Sequence, residues 1–104
     1  MKSSVIIVVA LENEIRSEIL PSHVPVLYTG IGKINATLAT MEAVLKFSPD
    51  LIINFGTVGK INKNLHGLIP ISKVVQRDMC AQPLAPRGRV PFSEKPNEFF
   101  SIAS

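Results

Sequence analysis

The sequence predicts an α/β fold in which helices flank a mostly parallel or mixed twisted sheet. Short, β-branched apolar runs alternate with segments of helical periodicity, an order typical of right-handed crossovers between parallel strands. The hydrophobic fraction of 46% and the charged fraction of 18% fit a globular chain with a substantial core. A length of 104 residues allows one domain at most.

The first part of the chain reads as strand, helix and strand. The continuous apolar run SVIIVVA (4–10) predicts a strand that is covered on both faces. In LENEIRSEIL (11–20), apolar residues at four-residue spacing predict a short helix that ends before Pro21. The run VPVLYT (24–29) predicts the second strand, with a proline near its start.

A long helix and two further strands follow. The segment GIGKINATLATMEAVLKF (30–47) predicts the helix, which must end at Ser48-Pro49. We expect Phe47 and Met41 in the core. The larger apolar residues of the helix share one face, with alanines beside them: Ile34, Leu38, Met41 and Leu45. DLIINF (50–55) predicts the third strand and LIPISKVVQRD (68–78) the fourth.

Residues 80–104 differ in texture from the rest of the chain. They contain four of the eight prolines and little periodicity, as expected of a loop-rich tail. The final EFFSIAS (98–104) predicts the opening of a helix. We therefore expect the sheet and helices in residues 1–79 and a loop-rich tail in 80–104, within a single portion of a domain that spans 1–104.

Composition excludes several classes of function. The net charge is +3, but the eleven Lys and Arg are scattered, so no nucleic-acid groove is expected. A single cysteine excludes an internal disulfide and suits a reducing cytoplasm. Two isolated histidines predict neither a metal site nor a metal cofactor. The opening MKSSVIIVVAL lacks a cleavage pattern, and no segment is long enough to span a membrane, so we expect no membrane partner.

Three predicted strands end in unusual turns. These turns are ALENE (10–14), TGIGK (29–33) and NFGTVGK (54–60). Because parallel strands place their carboxyl ends on one edge, where ligands of such sheets bind, the turns predict one binding site. Gly56 would let a substrate lie against bare backbone. The glycine spacing matches neither the dinucleotide fingerprint nor a P-loop. A simple strand-to-helix turn is the alternative explanation.

The motifs ALENEI, TGIGKINATLAT and DLIINFGTVGKI, in that order and spacing, resemble the purine nucleoside phosphorylase/nucleosidase superfamily. The similarity runs from about Val5 to about Phe92. The most similar branch is the bacterial 5′-methylthioadenosine/S-adenosylhomocysteine nucleosidases, which hydrolyse the N-glycosidic bond of adenine nucleosides. The resemblance implies a nucleoside phosphorylase-like fold that is incomplete at the C-terminus, a purine nucleoside as small-molecule partner, no cofactor and a homodimer.

The resemblance also implies roles for individual residues. Glu14 matches the carboxylate that activates water, and Thr57 stands where the family commonly has a serine that helps place that water. Ile31 matches a position beside the ribose and the water. Leu84 and Pro91 match hydrophobic loop positions that cover the 5′ substituent, often in the partner subunit of a homodimer. Without the family, Glu14 reads as a first-turn carboxylate favoured by the helix dipole.

The acidic turn favours hydrolysis over phosphorolysis. Glu12 and Glu14 would repel a phosphate dianion, and Asn54 stands where phosphorylases tend to place arginine. A phosphate-dependent nucleoside phosphorylase and a catalytically inactive remnant that acts as an assembly module remain alternatives. A Rossmann-like dinucleotide binder is disfavoured by the glycine spacing.

The resemblance is incomplete where the family binds the base and the ribose. The aspartate that protonates the base and the Met-Glu pair that anchors the ribose lie in the family's C-terminal half, and this sequence ends before either motif. We therefore expect residues 1–104 to be the N-terminal portion of such an enzyme and to be inactive in isolation.

Overall fold

The computed structural model describes residues 3–95 and 98–102. By its contacts, the chain divides into two compact units, Met1–Gly59 and Lys60–Ser104. The regular elements are β1 (Val5–Val9), β2 (Val26–Tyr28), α1 (Lys33–Phe47), β3 (Leu51–Asn54), β4 (Lys73–Val75) and β5 (Glu98–Phe100). The predicted α/β class is confirmed. Among the described residues, no helix has both the length and the apolarity that crossing a membrane requires.

The first unit is built on a parallel three-stranded sheet in the order β2-β1-β3. In the central strand, Ile7 lies opposite Val26 on one side and opposite Ile53 on the other. Residues Ile6 to Val9 of β1 are all buried. The unbroken apolar run of the sequence is therefore explained by a strand that is covered on both of its faces.

Helix α1 covers one face of this sheet. The core cluster consists of Ile6 on β1 and of Ala43 and Phe47 on α1, with Leu27 of β2 packed against it. The helix ends where the sequence predicted. Ser48 adopts the left-handed conformation, with φ 45° and ψ 55°, and its N–H donates to the carbonyl of Val44 at 2.9 Å. A left-handed residue after the last turn is a common way to end a helix.

The buried face of α1 is not the one that carries Ile34, Leu38, Met41 and Leu45. Phe47 is buried as predicted, but Met41 is 57% exposed, so its assignment to the core was wrong. The helix contacts the sheet through Phe47 and through Ala43, which is only 2% exposed. Small residues let a helix backbone approach a sheet closely, whereas larger side chains on the same side would hold it away.

The segment after β1 is not the predicted helix. Residues 11–20 form two single 3₁₀ turns, Glu12–Glu14 and Ser17–Ile19. Ile15 lies between them in an extended conformation, with φ −141° and ψ 144°. Ten residues are too few for an α-helix that local propensity alone could stabilise, so tertiary contacts decide the conformation.

The second unit contains a two-stranded antiparallel sheet of β4 and β5, in which Val74 lies opposite Phe99. The predicted fourth strand is therefore short, and it belongs to this separate sheet. The predicted C-terminal helix was wrong, because Glu98–Phe100 forms β5; residues 103 and 104 lie outside the described part of the chain. An exposed ion pair joins the strands, with 2.9 Å between Lys73 Nζ and Glu98 Oε2.

Candidate active site

Three turns meet at the carboxyl edge of the parallel sheet. Backbone hydrogen bonds extend the strand pairing into them: the N–H of Thr29 donates to Val9 at 2.8 Å, and the N–H of Gly30 donates to Ala10 at 3.0 Å. On the other side of β1, the N–H of Phe55 donates to Val8 at 3.0 Å. The turns after β1, β2 and β3 therefore begin side by side, where a parallel sheet presents a ligand site.

The side chain of Glu14 connects two of these turns. Its Oε2 accepts hydrogen bonds from the backbone N–H of Thr57 at 2.8 Å and from the Thr57 hydroxyl at 2.9 Å. Its Oε1 accepts one from the backbone N–H of Leu11 at 3.0 Å. The carboxylate is thus fixed by donors on both sides, one of them 43 residues away in sequence.

These donors set the protonation state of Glu14. The backbone N–H of Thr57 and then its hydroxyl hold the pKa of Glu14 below its ordinary value of 4.5; desolvation opposes them, and the N–H of Leu11 adds the smallest lowering effect. The group is therefore ionised at neutral pH. A carboxylate offers about four acceptor positions. Since Oε2 holds two donors and Oε1 holds one, Oε1 retains a position for a further donor such as water.

Gly56 permits the close approach of this carboxylate. A Cβ atom on Gly56 would lie 3.2 Å from Oε2 of Glu14, closer than ordinary van der Waals contact. Glycine therefore lets Glu14 approach at this distance, whereas a Cβ would require the carboxylate to shift by a few tenths of an ångström. The structure places Gly56 against Glu14, while its predicted contact with a substrate stays a prediction.

The remaining predicted site residues lie in two places. Ile31 is in the turn after β2, at the same edge as Glu14, and is 70% exposed; its carbonyl accepts a hydrogen bond from the Asn35 side chain at 2.8 Å. Leu84, which is exposed, and Pro91, which is half-buried, belong to the second unit. Their role in covering a 5′ substituent stays a prediction.

An open cleft of about 380 Å³ lies beside Glu14. Its walls are mostly apolar, and they come from the sheet face opposite α1 and from the segment after β1: Ile7, Glu14, Ile15, Arg16, Ile19, Leu20, Ile53 and Phe55. Arg16 forms an exposed ion pair with Glu18, with 3.4 Å between Nε and Oε1. The cleft is large enough for a small organic ligand.

One part of the site was not predicted. The backbone N–H of Leu11 is the third donor to Glu14. The signal was present in the spacing, because a glutamate three residues after a helix cap often binds the backbone N–H of the cap residue. In the described part of the chain, no group of three or more His, Cys, Asp or Glu is placed to hold a metal ion.

A protein-family model matches the part of the chain that contains the three motifs. The family model described as "Phosphorylase superfamily" matches residues 7–100, which is most of the chain. The chain belongs to this superfamily. The three motifs that suggested the resemblance all fall in the matched range, so the family expected from the sequence is confirmed.

Relatives within the superfamily match over a shorter stretch. Two are named 5′-methylthioadenosine/S-adenosylhomocysteine nucleosidase and come from Staphylococcus aureus, strains bovine RF122 / ET3-1 and MRSA252. Each is 42% identical over 44 residues, which are 42% of this chain and 19% of the relative. The match thus spans about a fifth of the length of these curated relatives. No solved structure matches the chain.

Proposed function

We propose that this chain is the water-activating, N-terminal portion of a nucleosidase that hydrolyses the N-glycosidic bond of adenine nucleosides such as 5′-methylthioadenosine or S-adenosylhomocysteine. The observation that carries the proposal is the Glu14 carboxylate, fixed by Thr57 and Leu11 at the carboxyl edge of the sheet. Membership of the phosphorylase superfamily and the names of the staphylococcal relatives support the substrate class.

In the proposed reaction, the bond between C1′ of the ribose and the purine nitrogen breaks, and its electron pair leaves with the purine. Positive charge develops on the sugar, as in other glycosyl transfers. The ionised Glu14 stabilises that charge and accepts a proton from water as the water oxygen bonds to C1′. Glu14 later releases this proton to solvent.

The purine requires a proton from an acid as it leaves. We propose that this acid and the ribose anchors come from polypeptide other than residues 1–104, and that the chain alone is therefore inactive. Ile31 is proposed to lie beside the ribose, with Gly56 exposing backbone to the substrate. Leu84 and Pro91 are proposed to cover the 5′ substituent, in a homodimer in which each loop serves the partner's site.

Water is the proposed nucleophile because of the charge at this edge. Glu14 is held in its ionised form, and a phosphate dianion beside it would be repelled. Thr57 acts as a positioning residue: by occupying Oε2 it leaves the open acceptor position on Oε1 for the water.

The test is release of adenine from 5′-methylthioadenosine in phosphate-free buffer. It compares the chain alone with the chain mixed with a C-terminal segment of the Staphylococcus aureus nucleosidase, after size-exclusion chromatography has shown that the two associate. We expect no release by the chain alone and release by the complex. Glu14→Gln should lower kcat by about 10²–10⁴-fold.

The matched control is Glu12→Gln, which removes a carboxylate from the same 3₁₀ turn. This variant should retain kcat within about twofold, since surface substitutions away from a site have small effects. Full turnover by Glu14→Gln would refute the proposed mechanism. Release that requires phosphate would indicate a phosphorylase, and release by the chain alone would show that residues 1–104 suffice.

A further inference from the structure

The turn after β2 holds Ile31 between two glycines. Gly30 has φ 83° and Gly32 has φ 98°, both in the left-handed region. Because glycine has no Cβ, its backbone moves freely in this region and restrains its neighbours little. The Ile31 side chain is 70% exposed, so packing around it supplies little restraint either. The position of Ile31 must therefore be fixed by another part of the chain.

The side chain of Asn35, in the first turn of α1, makes the required connection. Its Nδ2 donates to the carbonyl of Ile31 at 2.8 Å. A carbonyl oxygen only accepts, so the nitrogen of the amide is the atom that faces it. The backbone bonding of α1 begins one residue later, where the N–H of Ala36 donates to the carbonyl of Gly32 at 3.0 Å. The Asn35 side chain thus ties the turn to the helix at a point that the helix backbone does not reach.

Asn35 also lies against the glycine that precedes Ile31. A Cβ on Gly30 would lie 3.2 Å from Nδ2 and 3.6 Å from Cγ of Asn35. The amide therefore reaches the Ile31 carbonyl across a residue that has no side chain to obstruct it. Gly30 is in turn bound to the sheet, since its N–H donates to the carbonyl of Ala10 at 3.0 Å. Ile31 is thereby connected to the sheet on one side and to α1 on the other.

We propose that Asn35 is a positioning residue of the candidate active site, whose amide fixes the turn that carries Ile31. Its effect on turnover rests on the proposed function, in which Ile31 lies beside the ribose and the attacking water. Asn35 acts only through Ile31 and touches neither of them. Since a displacement of about 1 Å between reacting groups can lower a rate about 10²-fold, a loosened turn should lower kcat/KM by at least about tenfold.

A purely structural role for Asn35 predicts a different outcome. Alanine is a better helix former than asparagine, so Asn35→Ala should not weaken α1 itself. The same helix offers a matched control, because the hydroxyl of Thr37 donates to the carbonyl of Lys33 at 2.8 Å across the same four-residue spacing. That carbonyl belongs to the helix and not to the turn. Thr37→Val removes this donor and keeps the shape of the side chain.

The first test measures the motion of the turn in the chain itself, by NMR relaxation of the backbone amides. The order parameter of the Ile31 amide should be about 0.85 in wild type, as in rigid backbone, and should fall below about 0.6 in Asn35→Ala. It should be unchanged in Thr37→Val. Asn35→Thr should restore much of the order, because a threonine hydroxyl can bind the carbonyl four residues earlier, as Thr37 does.

Circular dichroism checks that α1 is folded in every variant. An Ile31 order parameter that is the same in wild type and in Asn35→Ala overturns the proposal. Equal loss of order in Thr37→Val also overturns it, since the effect would then be a general loosening of the helix start. This measurement does not use turnover, so it decides whether Asn35 fixes the turn independently of the proposed function.

The second test is a double-mutant cycle in the complex with the C-terminal staphylococcal segment, with release of adenine as the readout. Asn35→Ala and Ile31→Ala should each lower kcat/KM. If Asn35 acts through Ile31, adding Asn35→Ala to Ile31→Ala should cost less than about a further twofold. Two independent structural effects would instead multiply, because they share no contact.

The outcomes separate this role from the proposed function. A wild-type complex that releases no adenine counts against the proposed function, and the NMR measurement still decides the role of Asn35. An active wild-type complex in which Asn35→Ala leaves kcat/KM unchanged overturns the role of Asn35 and leaves the proposed function standing. Losses that multiply in the double variant overturn it as well.

Discussion

The carboxylate of Glu14 has two consequences that can be separated at the level of single residues. It connects the turn after β1 with the turn after β3, and it places an ionised group at the edge where a ligand would bind. The stability of the fold depends on the connection between the two turns, and turnover depends on the ionised group. Variants of Glu14 and of its neighbour Gly56 therefore test the structure of the site independently of the proposed chemistry.

The Glu14 contact should make stability depend on pH. The pKa of Glu14 is lower in the folded chain than its ordinary value of 4.5, so the unfolded chain binds this proton more readily. Its contribution to the free energy of unfolding is therefore fully present above 4.5 and is lost as the pH falls through the lower folded value.

Urea unfolding of wild type and of Glu14→Gln, measured from about pH 7 to about pH 3, tests this expectation. The wild type should be more stable at neutral pH, and the difference in unfolding free energy should narrow in acid. A difference that stays constant or widens in acid would contradict the hydrogen bonds assigned to this carboxylate.

The contact of Gly56 with Glu14 gives a second prediction. Gly56→Ala places a methyl group 3.2 Å from Oε2, so the carboxylate must shift by a few tenths of an ångström, and we expect its bonds to Thr57 to lengthen. The substitution should lower Tm by a few degrees and move the pKa of Glu14 toward 4.5. NMR titration of the carboxyl carbon and a thermal melt measure the two effects.

Gly59→Ala is the matched control, because a Cβ at Gly59 has no neighbour within 4 Å. It lies in the same turn, so it tests the loss of backbone freedom without the clash. Its Tm should equal that of wild type or exceed it slightly. Equal destabilisation by both substitutions would show that the close approach of Gly56 to Glu14 does not limit stability.

At the level of elements, the end of helix α1 combines a strong sequence signal with a strained residue. Pro49 stops the helix, yet the left-handed position before it is filled by serine, with φ 45°. Glycine is the residue that usually occupies this position, because the left-handed conformation brings the Cβ of other residues too close to the backbone.

Ser48→Gly should therefore raise the free energy of unfolding by about 0.5–1 kcal/mol. Glycine relieves the left-handed strain, but it also gives the unfolded chain more backbone freedom, which offsets part of that gain. Ser48→Ala is the control and should bring no such gain, since alanine keeps the Cβ. Chemical denaturation of both variants measures the effect. Destabilisation by Ser48→Gly would contradict the helix end described here.

Helices and strands were predicted correctly where the local sequence alone determines the conformation. β1 is unbroken, β-branched and apolar, so its position and its burial could be inferred directly, and the end of α1 was fixed by Pro49. Residues 11–20 and 98–100 were assigned to helices and form 3₁₀ turns and a strand instead. These short segments lack a decisive local preference, and contacts with distant residues determine their conformation.

At the level of the whole molecule, much apolar surface is left uncovered. The buried hydrophobic core among the described residues is small, with Ile6 and Val9 its largest fully buried side chains. Meanwhile the cleft beside Glu14 is open, and four large apolar side chains of α1 are exposed: Ile34, Leu38, Met41 and Leu45. A core of this size supplies little stability.

The sequence by itself determined the parallel sheet, the common edge for its three turns and the family, because strand periodicity, glycine positions and motif spacing are local properties. It also singled out Glu14 and Thr57. Only the tertiary structure decided that these two residues bind each other, that Gly56 makes room for the bond and that α1 buries the face of Ala43 and Phe47. Those outcomes depend on packing between segments that are distant in sequence, 43 residues apart for Glu14 and Thr57, and no local pattern records their approach.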